Sequence, residues 1–313
     1  MKIFKKIVVI FLLILILSGI GGYVYFNKKF TPPENYLTVS GNAKKIPLLW
    51  ISDGDTPYAA VLLPIKIKGV DYPLYMQLDF GSPVTVFYSH SLQSIITNFP
   101  HFSPLKNIDH RTANLNMNVG DMIISSHDFQ LLDYGSKVNY QDPDAKNIIG
   151  TIGTDLLEKR IIVLDFPNNY CSFVDSVSEI DFNDFEFKKR KILLPTKIDQ
   201  KNLKVMYDSG TSAYELITNK ENWEKYKTKN SILKKEKGNS WGATLDIISA
   251  KANKEIQFSN TRLRLQEVTY IEGTSGVQNL LMKFSGMQGM VGNKLFLHHK
   301  VILDCKNEKF KIQ

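Results

Sequence analysis

From about Ile46 onward the chain is a succession of short apolar runs: VLLPIKI, LYMQLDF, MIISSHDFQLL, RIIVLDF, YCSFV, then KILLP, KVMYD, TLDII, RLRLQEVTYI and KVILD. β-branched and aromatic residues dominate the runs, and turn-forming residues separate them. That pattern predicts strands joined by hairpins. Helical signals are few: HSLQSIITNF, NKENWEKYK, and short pieces near DLLEK and NKLFLHH. The pattern as a whole predicts a mainly β protein with minor helices. Residues 7–26, IVVIFLLILILSGIGGYVYF, are of another kind. Twenty uncharged residues at 1.5 Å each cover a hydrocarbon core of about 30 Å. FTPPENYLTVSGN, with paired prolines, reads as a linker behind that segment.

The strand-rich region repeats itself. Leu62-Leu63-Pro64 precedes Asp79-Phe80-Gly81-Ser82, and Leu193-Leu194-Pro195 precedes Asp208-Ser209-Gly210-Thr211. Gly150-Thr151-Ile152-Gly153 then leads to Leu164-Asp165, and Gly289-Met290-Val291-Gly292 leads to Leu303-Asp304. From second glycine to aspartate is 12 residues in both copies; from motif aspartate to second glycine is 74 in one and 84 in the other. A single D-x-G-[ST] is a cheap match, whereas two copies with the same followers at matched spacing are not. The charged stretch VDSVSEIDFNDFEFKKR separates the copies, and its signs nearly cancel, as in a solvated connection.

Each copy ends an apolar strand in an aspartate, with glycine two residues later to turn the chain sharply. A hydroxyl residue, Ser82 or Thr211, follows. Two such loops face to face would set two carboxylates side by side, where both cannot ionise, so the pair holds one proton and titrates as a unit. A water between them can lose a proton to one while the other protonates an attacked carbonyl. This is acid–base hydrolysis of an amide, and it needs neither cofactor nor metal.

LDFGSPVTVFY and MYDSGTSAYELIT resemble the two active-site loops of pepsin-like aspartic proteases. IIGTIGTDLLEKRIIVLDFPNNYCSFV and GMVGNKLFLHHKVILDCKNEKFKIQ resemble the closing segments of the two lobes of that family. The resemblance runs from about Ala59 to Gln313. It implies a bilobal fold of two pseudo-twofold-related β-barrel lobes, residues 46–185 and 186–313, with a peptide cleft between them. It implies endopeptidase activity on a peptide or protein substrate, Asp79 and Asp208 as catalytic pair, and Phe80, Gly81, Ser82, Ser209, Gly210 and Thr211 as supporting loops. By the same matching, Ser82 and Thr211 would hydrogen-bond the outer carboxylate oxygens. Both motifs lie in one chain, so a monomer is expected.

The chain departs from the family twice. A hydroxyl residue that locks the loops together is usual after each aspartate; here Phe80 and Ser209 stand there, so half the lock is missing or rebuilt. Between Tyr88 and Val119 there is no glycine and no Tyr-Gly pair, so a flap tyrosine cannot be placed. These departures motivate an alternative, a catalytically weak or inactive relative that binds peptides.

Composition narrows the field further. With 43% hydrophobic and 22% charged residues among 313, the chain can bury a large core. The net charge of +8 does not indicate nucleic acid. A balance of +6 lies in residues 1–45, around the apolar segment, rather than on a face of the folded region. Lys2, Lys5 and Lys6 against Lys28 and Lys29 predict a cytoplasmic N-terminus at 1–6, a single-pass anchor at 7–26, a linker at 27–45 and an extracytoplasmic catalytic region. No A-x-A-like site favours cleavage, which is the alternative to an uncleaved anchor. Cys171 and Cys305 match no metal or redox spacing and read as buried thiols, with a single bridge the alternative. Gly238-Asn239-Ser240-Trp241-Gly242 spells a nucleophile elbow but lacks the strand before and helix after that such a motif needs. Asp79-Phe80-Gly81 spells a kinase triplet without the accompanying loops. Asp165 and Asp304 read as structural turn residues, and the lysines of 225–237 as a solvated surface or, alternatively, a membrane-facing patch.

Overall fold

The computed structural model describes residues 28, 31–102, 112–178, 180–240, 243–273 and 287–313. The expected anchor at residues 7–26 lies outside them. No helix among the described residues is long and apolar enough to cross a membrane.

The first half contributes β1 (Thr38–Ser40), β2 (Ala43–Pro47), β3 (Leu49–Asp53), β4 (Thr56–Ile67), β5 (Val70–Leu78), β6 (Val86–Tyr88), helix α1 (Ser89–Asn98), β7 (Thr112–Val119), β8 (Met122–Leu132), β9 (Ile148–Ile152), β10 (Ile161–Asp165), β11 (Tyr170–Val174) and β12 (Asn183–Asp184). The second supplies β13 (Glu186–Lys188), β14 (Lys191–Ile198), β15 (Lys201–Tyr207), β16 (Leu216–Thr218), helix α2 (Lys220–Tyr226), β17 (Leu233–Ser240), β18 (Ala243–Phe258), β19 (Thr261–Glu272), β20 (Gly289–Val291), β21 (Lys300–Asp304) and β22 (Lys309–Ile312). The protein is mainly β, as its alternation predicts. In β5, Leu74, Met76 and Leu78 are buried while Tyr75 and Gln77 are half-exposed. That is the signature of a strand with one face on the core.

Six strands of the first half close a ring in the order β4–β5–β9–β6–β8–β7 and back to β4. Six strands of the second close an equivalent ring, β14–β15–β20–β16–β19–β18 and back to β14. The sense of every pairing is the same in both. β5 with β9 and β6 with β8 are parallel, as are β15 with β20 and β16 with β19; the others are antiparallel. The sequence repeat is therefore a repeat of structure. Edge-to-face aromatic pairs fill the rings, Phe87 on Phe129 at 5.0 Å and Tyr207 on Phe296 at 5.1 Å. Fully burying one such side chain contributes about 1.5–3 kcal/mol.

A third sheet, β12–β22–β21–β10–β11–β2, takes strands from both halves and pairs β10 with β21. Asp165 and Asp304 open its two tight turns. Asp304 Oδ1 accepts from the amides of Lys306 and Asn307 at 3.0 and 2.9 Å, and Asp165 Oδ1 from Asn168 Nδ2 at 2.9 Å. Cys171 on β11 lies opposite Leu164, whereas the Cys305 amide donates to Arg160 O at 3.0 Å. The strand β10 separates the two thiols, which are free and buried, and burial pushes both well above the ordinary thiol range.

The expected linker at 27–45 is partly ordered strand. β1 pairs with β8, and Ala43 of β2 is fully buried against the sheet it joins. Residues 32–37 form no strand, and Leu37 and Val39, beyond the proline pair, pack on the core.

Candidate active site

Asp79 and Asp208 each stand one residue beyond a ring strand, β5 and β15. The parallel neighbour holds both in place: the Asp79 amide donates to Ile152 O at 3.0 Å and the Asp208 amide to Val291 O at 2.9 Å. Each carboxylate then accepts its own loop's glycine amide, Gly81 N to Asp79 Oδ1 and Gly210 N to Asp208 Oδ1, both at 2.8 Å. The loops face one another closely. A Cβ on Gly81 would lie 2.6 Å from Asp208 Oδ1, and one on Gly210 would collide with Asp79 Oδ1. Any side chain at either glycine would displace the opposite carboxylate. The two carboxyl groups hydrogen-bond to each other and are 9% and 8% exposed.

Burial raises both aspartates above the usual carboxylate range. The hydrogen bond between them lowers Asp79 and raises Asp208, and the charge of Asp79 raises Asp208 further, to about 8. Backbone amides of Gly81 and Gly210 act in the opposite direction, favouring the ionised forms. Both carboxyl groups are raised, so the pair holds one proton and titrates as a unit.

The expected roles of Ser82 and Thr211 are corrected. Ser82 Oγ donates to Val84 O at 2.7 Å, and Thr211 Oγ1 to Asp208 O at 2.9 Å. Both hydroxyls close the loop backbone instead of holding a carboxylate: each has one proton and gives it to a carbonyl of its own turn, so none is left for a carboxylate. Their amides, donating to Asp79 O and Asp208 O at 3.2 Å, complete the turns.

Half of the cross-loop lock is present. Ser209 Oγ accepts from Phe80 N at 2.9 Å and donates to Leu78 O at 2.9 Å, so one hydroxyl satisfies both backbone groups of the other loop. Phe80 supplies no reciprocal bond. Its ring is 1% exposed and packs edge-to-face on Tyr207, centroids 5.3 Å apart.

The G-x-x-G elements pass directly under these loops. A Cβ on Gly153 would lie 2.9 Å from Ser82 O, and one on Gly292 would lie 2.6 Å from Tyr214 O. The next residue in each copy reaches back to the loop. Thr154 Oγ1 donates to Ser82 O at 3.0 Å, and Asn293 Nδ2 to Ser212 Oγ at 3.0 Å while its Oδ1 accepts from Tyr207 OH at 2.7 Å. Sequence reading missed Thr154 and Asn293, although their matched place after each second glycine was a usable signal. It also missed Asp155, whose carboxylate accepts from Thr85 N and Oγ1 at 2.7 Å each. Arg190, from the connection between the halves, is a third. Its Nε meets Glu158 Oε1 at 2.7 Å and its Nη1 donates to Pro83 O at 3.1 Å.

The remaining sequence candidates separate cleanly. Gly238–Ser240 end β17, which pairs antiparallel with β18 from Ala243, so the described part of the elbow-like pentapeptide lies on a strand and a strand, not a helix, follows it; 241–242 lie outside the described residues. Lys225, Lys227, Lys234 and Lys237 pair with Glu221, Glu224, Glu236 and Asp246, as expected of a solvated surface. Among the described residues no group of three or more His, Cys, Asp or Glu side chains could hold a metal ion. Between Tyr88 and Val119, where no flap tyrosine is expected, the described residues include α1 and β7, and 103–111 lie outside the described set.

No protein-family model matches the chain, and no curated protein matches it.

Proposed function

We propose that the chain is a membrane-anchored aspartic endopeptidase of the pepsin-like kind, hydrolysing peptide bonds with Asp79, Asp208 and an activated water. The observation that carries this reading is the reciprocal approach of Gly81 to Asp208 and of Gly210 to Asp79. It brings two buried carboxyl groups into contact where two equivalent loops meet. The two rings of identical strand order support a two-lobed architecture with the cleft at that meeting point. The apolar segment 7–26 and the lysines preceding it support a single span with the catalytic region outside the cytoplasm.

The shared proton defines the chemistry. Ionised Asp79 takes a proton from a water as that water's oxygen bonds to the scissile carbonyl carbon, and Asp208 gives its proton to the carbonyl oxygen. The tetrahedral diol then collapses. One hydroxyl proton returns to the dyad, a proton passes from the dyad to the departing nitrogen, and the C–N bond breaks. A peptide or protein substrate is the only partner this requires, and one chain supplies both loops, so the enzyme acts as a monomer.

One observation favours a second reading, peptide binding without turnover. With Phe80 in place of a hydroxyl, the loops share one cross-link rather than two. A peptidase assay on a mixture of unstructured peptides separates the readings. Wild-type protein is expected to cleave, at a rate linear in enzyme concentration, and Asp79→Asn and Asp208→Asn to cleave nothing while keeping the wild-type fold. Peptidase activity undiminished in Asp208→Asn would remove the mechanism.

A further inference from the structure

The outer face of β5, the strand that leads to Asp79, borders a cavity of about 440 Å³ through Gln77. Leu74, Met76 and Leu78 point into the core, so Tyr75 and Gln77 share the other face, and Asp79 follows one residue beyond the strand at the next position of that alternation. At about 3.3 Å per residue, Gln77 stands about 7 Å and Tyr75 about 13 Å from Asp79 along the strand. Gln77 lines the cavity together with Tyr88, Ile148, Lys137 and Lys146. Tyr88 OH is bonded to Thr151 Oγ1 at 2.8 Å, and Thr151 lies opposite Gln77 in the β5–β9 register. Tyr88 is near enough to Asp79 to feel its charge. Neither aspartate lines the cavity; its near end, at Gln77 and Tyr88, is about 7 Å along the strand from Asp79, within reach of a residue about one to three positions from a scissile bond.

Its walls are cationic. Lys146 Nζ is held over the Tyr75 ring, 5.6 Å from the centroid. The carboxylate among the lining residues, Asp133, is engaged by His90 Nε2 at 3.0 Å. No carboxylate among the described residues pairs with Lys137 or Lys146. An apolar side chain entering here would strip water from Gln77 and the lysines without replacing their hydrogen bonds, which is costly. A carboxylate would replace them with charge-assisted ones.

Resting on the peptidase reading above, we infer that this cavity is a specificity pocket for an acidic substrate side chain, whose carboxylate is received by Lys137 and Lys146 with Gln77 nearest the dyad. The pocket commits the enzyme to polypeptides carrying Asp or Glu close to the cleaved bond.

The full chain, presented with a peptide mixture varied over three positions on each side of the scissile bond, tests this. Asp or Glu at one position is expected to exceed Leu or Phe at least tenfold in kcat/KM. Lys137→Glu/Lys146→Glu is expected to invert that ratio toward Lys or Arg. Cleavage with an apolar preference, or an acidic preference that charge reversal leaves unmoved, overturns the pocket and leaves the peptidase reading standing. Fluorescence anisotropy with Asp208→Asn and labelled acidic and neutral peptides needs no turnover. If wild-type protein cleaves nothing yet this variant binds acidic peptides tenfold more tightly, and the lysine reversals abolish the difference, the pocket stands and only the catalytic reading falls. If there is neither cleavage nor discrimination in binding, the pocket falls too. Both lysines are exposed, so the reversals leave the core intact.

Discussion

Phe80 and Tyr207 meet edge-to-face between the two D-x-G-[ST] segments, with ring centroids 5.3 Å apart and planes at 83°. Each residue adjoins one of the paired aspartates, Asp79 or Asp208, and each is fully buried. The residue that breaks the hydroxyl pattern of the first loop thus replaces a polar link with an aromatic one, in a geometry that rings favour. Tyr207 is itself fixed by Asn293 through its hydroxyl and by Phe296 through its ring.

Phe80→Thr should therefore destabilise the protein, although threonine is the residue usual in the resembled family. The ring leaves a cavity against Tyr207, and a loss of about 3 kcal/mol is expected for so large a truncation. Denaturant unfolding measures it. A melting temperature equal to wild type would show that the ring contributes nothing.

Ser209→Ala removes the acceptor for Phe80 N and the donor to Leu78 O at once. Two buried backbone groups are left unmet, at about 1–3 kcal/mol each. Turnover is expected to fall more than tenfold, since Leu78 and Phe80 flank Asp79, while Ser209→Thr keeps the hydroxyl and restores most of it. Comparing kcat for the two variants checks this.

Asp208 carries a proton to about 8 in the folded protein, against 3.8 for an ordinary aspartate. The folded state then binds more protons than the unfolded state between those values, so stability falls as pH rises through that window. The favourable contribution is complete below about 3.8 and lost above about 8. Asp208→Asn, neutral at every pH, is expected to flatten the dependence. It should melt higher than wild type at pH 8 and show a much smaller difference at pH 3. Thermal melts at the two pH values decide it; a variant less stable at pH 8 contradicts the assigned proton.

Arg190 ties the connection between the halves to the first loop through Pro83 O and to Glu158. Arg190→Ala is expected to cost about 2 kcal/mol, because it strands Pro83 O and an ion-paired carboxylate that is only partly exposed. Arg190→Lys keeps the charge and loses the second bond, so it should fall between the two. Equilibrium unfolding of the three proteins orders them.

Much of this was written locally in the chain. Alternation marked the strands, and the duplicated D-x-G-[ST] and G-x-x-G elements located both loops and what lies beneath them. The strands β1 and β2 were not legible, because a proline pair and a short apolar alternation look the same in a linker as in an edge strand until a partner is present. Family likeness implies that the hydroxyls of Ser82 and Thr211 hold the carboxylates. Their actual acceptors are backbone carbonyls two and three residues away, which depend on the shape of the turn.

The repeat, the aspartate at each strand end and the glycine that lets the chain turn follow from residue order alone, since each is a matter of near neighbours and period. Contacts between distant parts of the chain decided the rest. Ser209 and Phe80 are 129 residues apart, and Arg190 and Pro83 are 107 apart. No periodicity encodes such pairs; they exist because two closed rings and a shared sheet bring them together. The same holds for the proton on Asp208. Two isolated aspartates would both ionise, and only burial beside one another makes them share a charge.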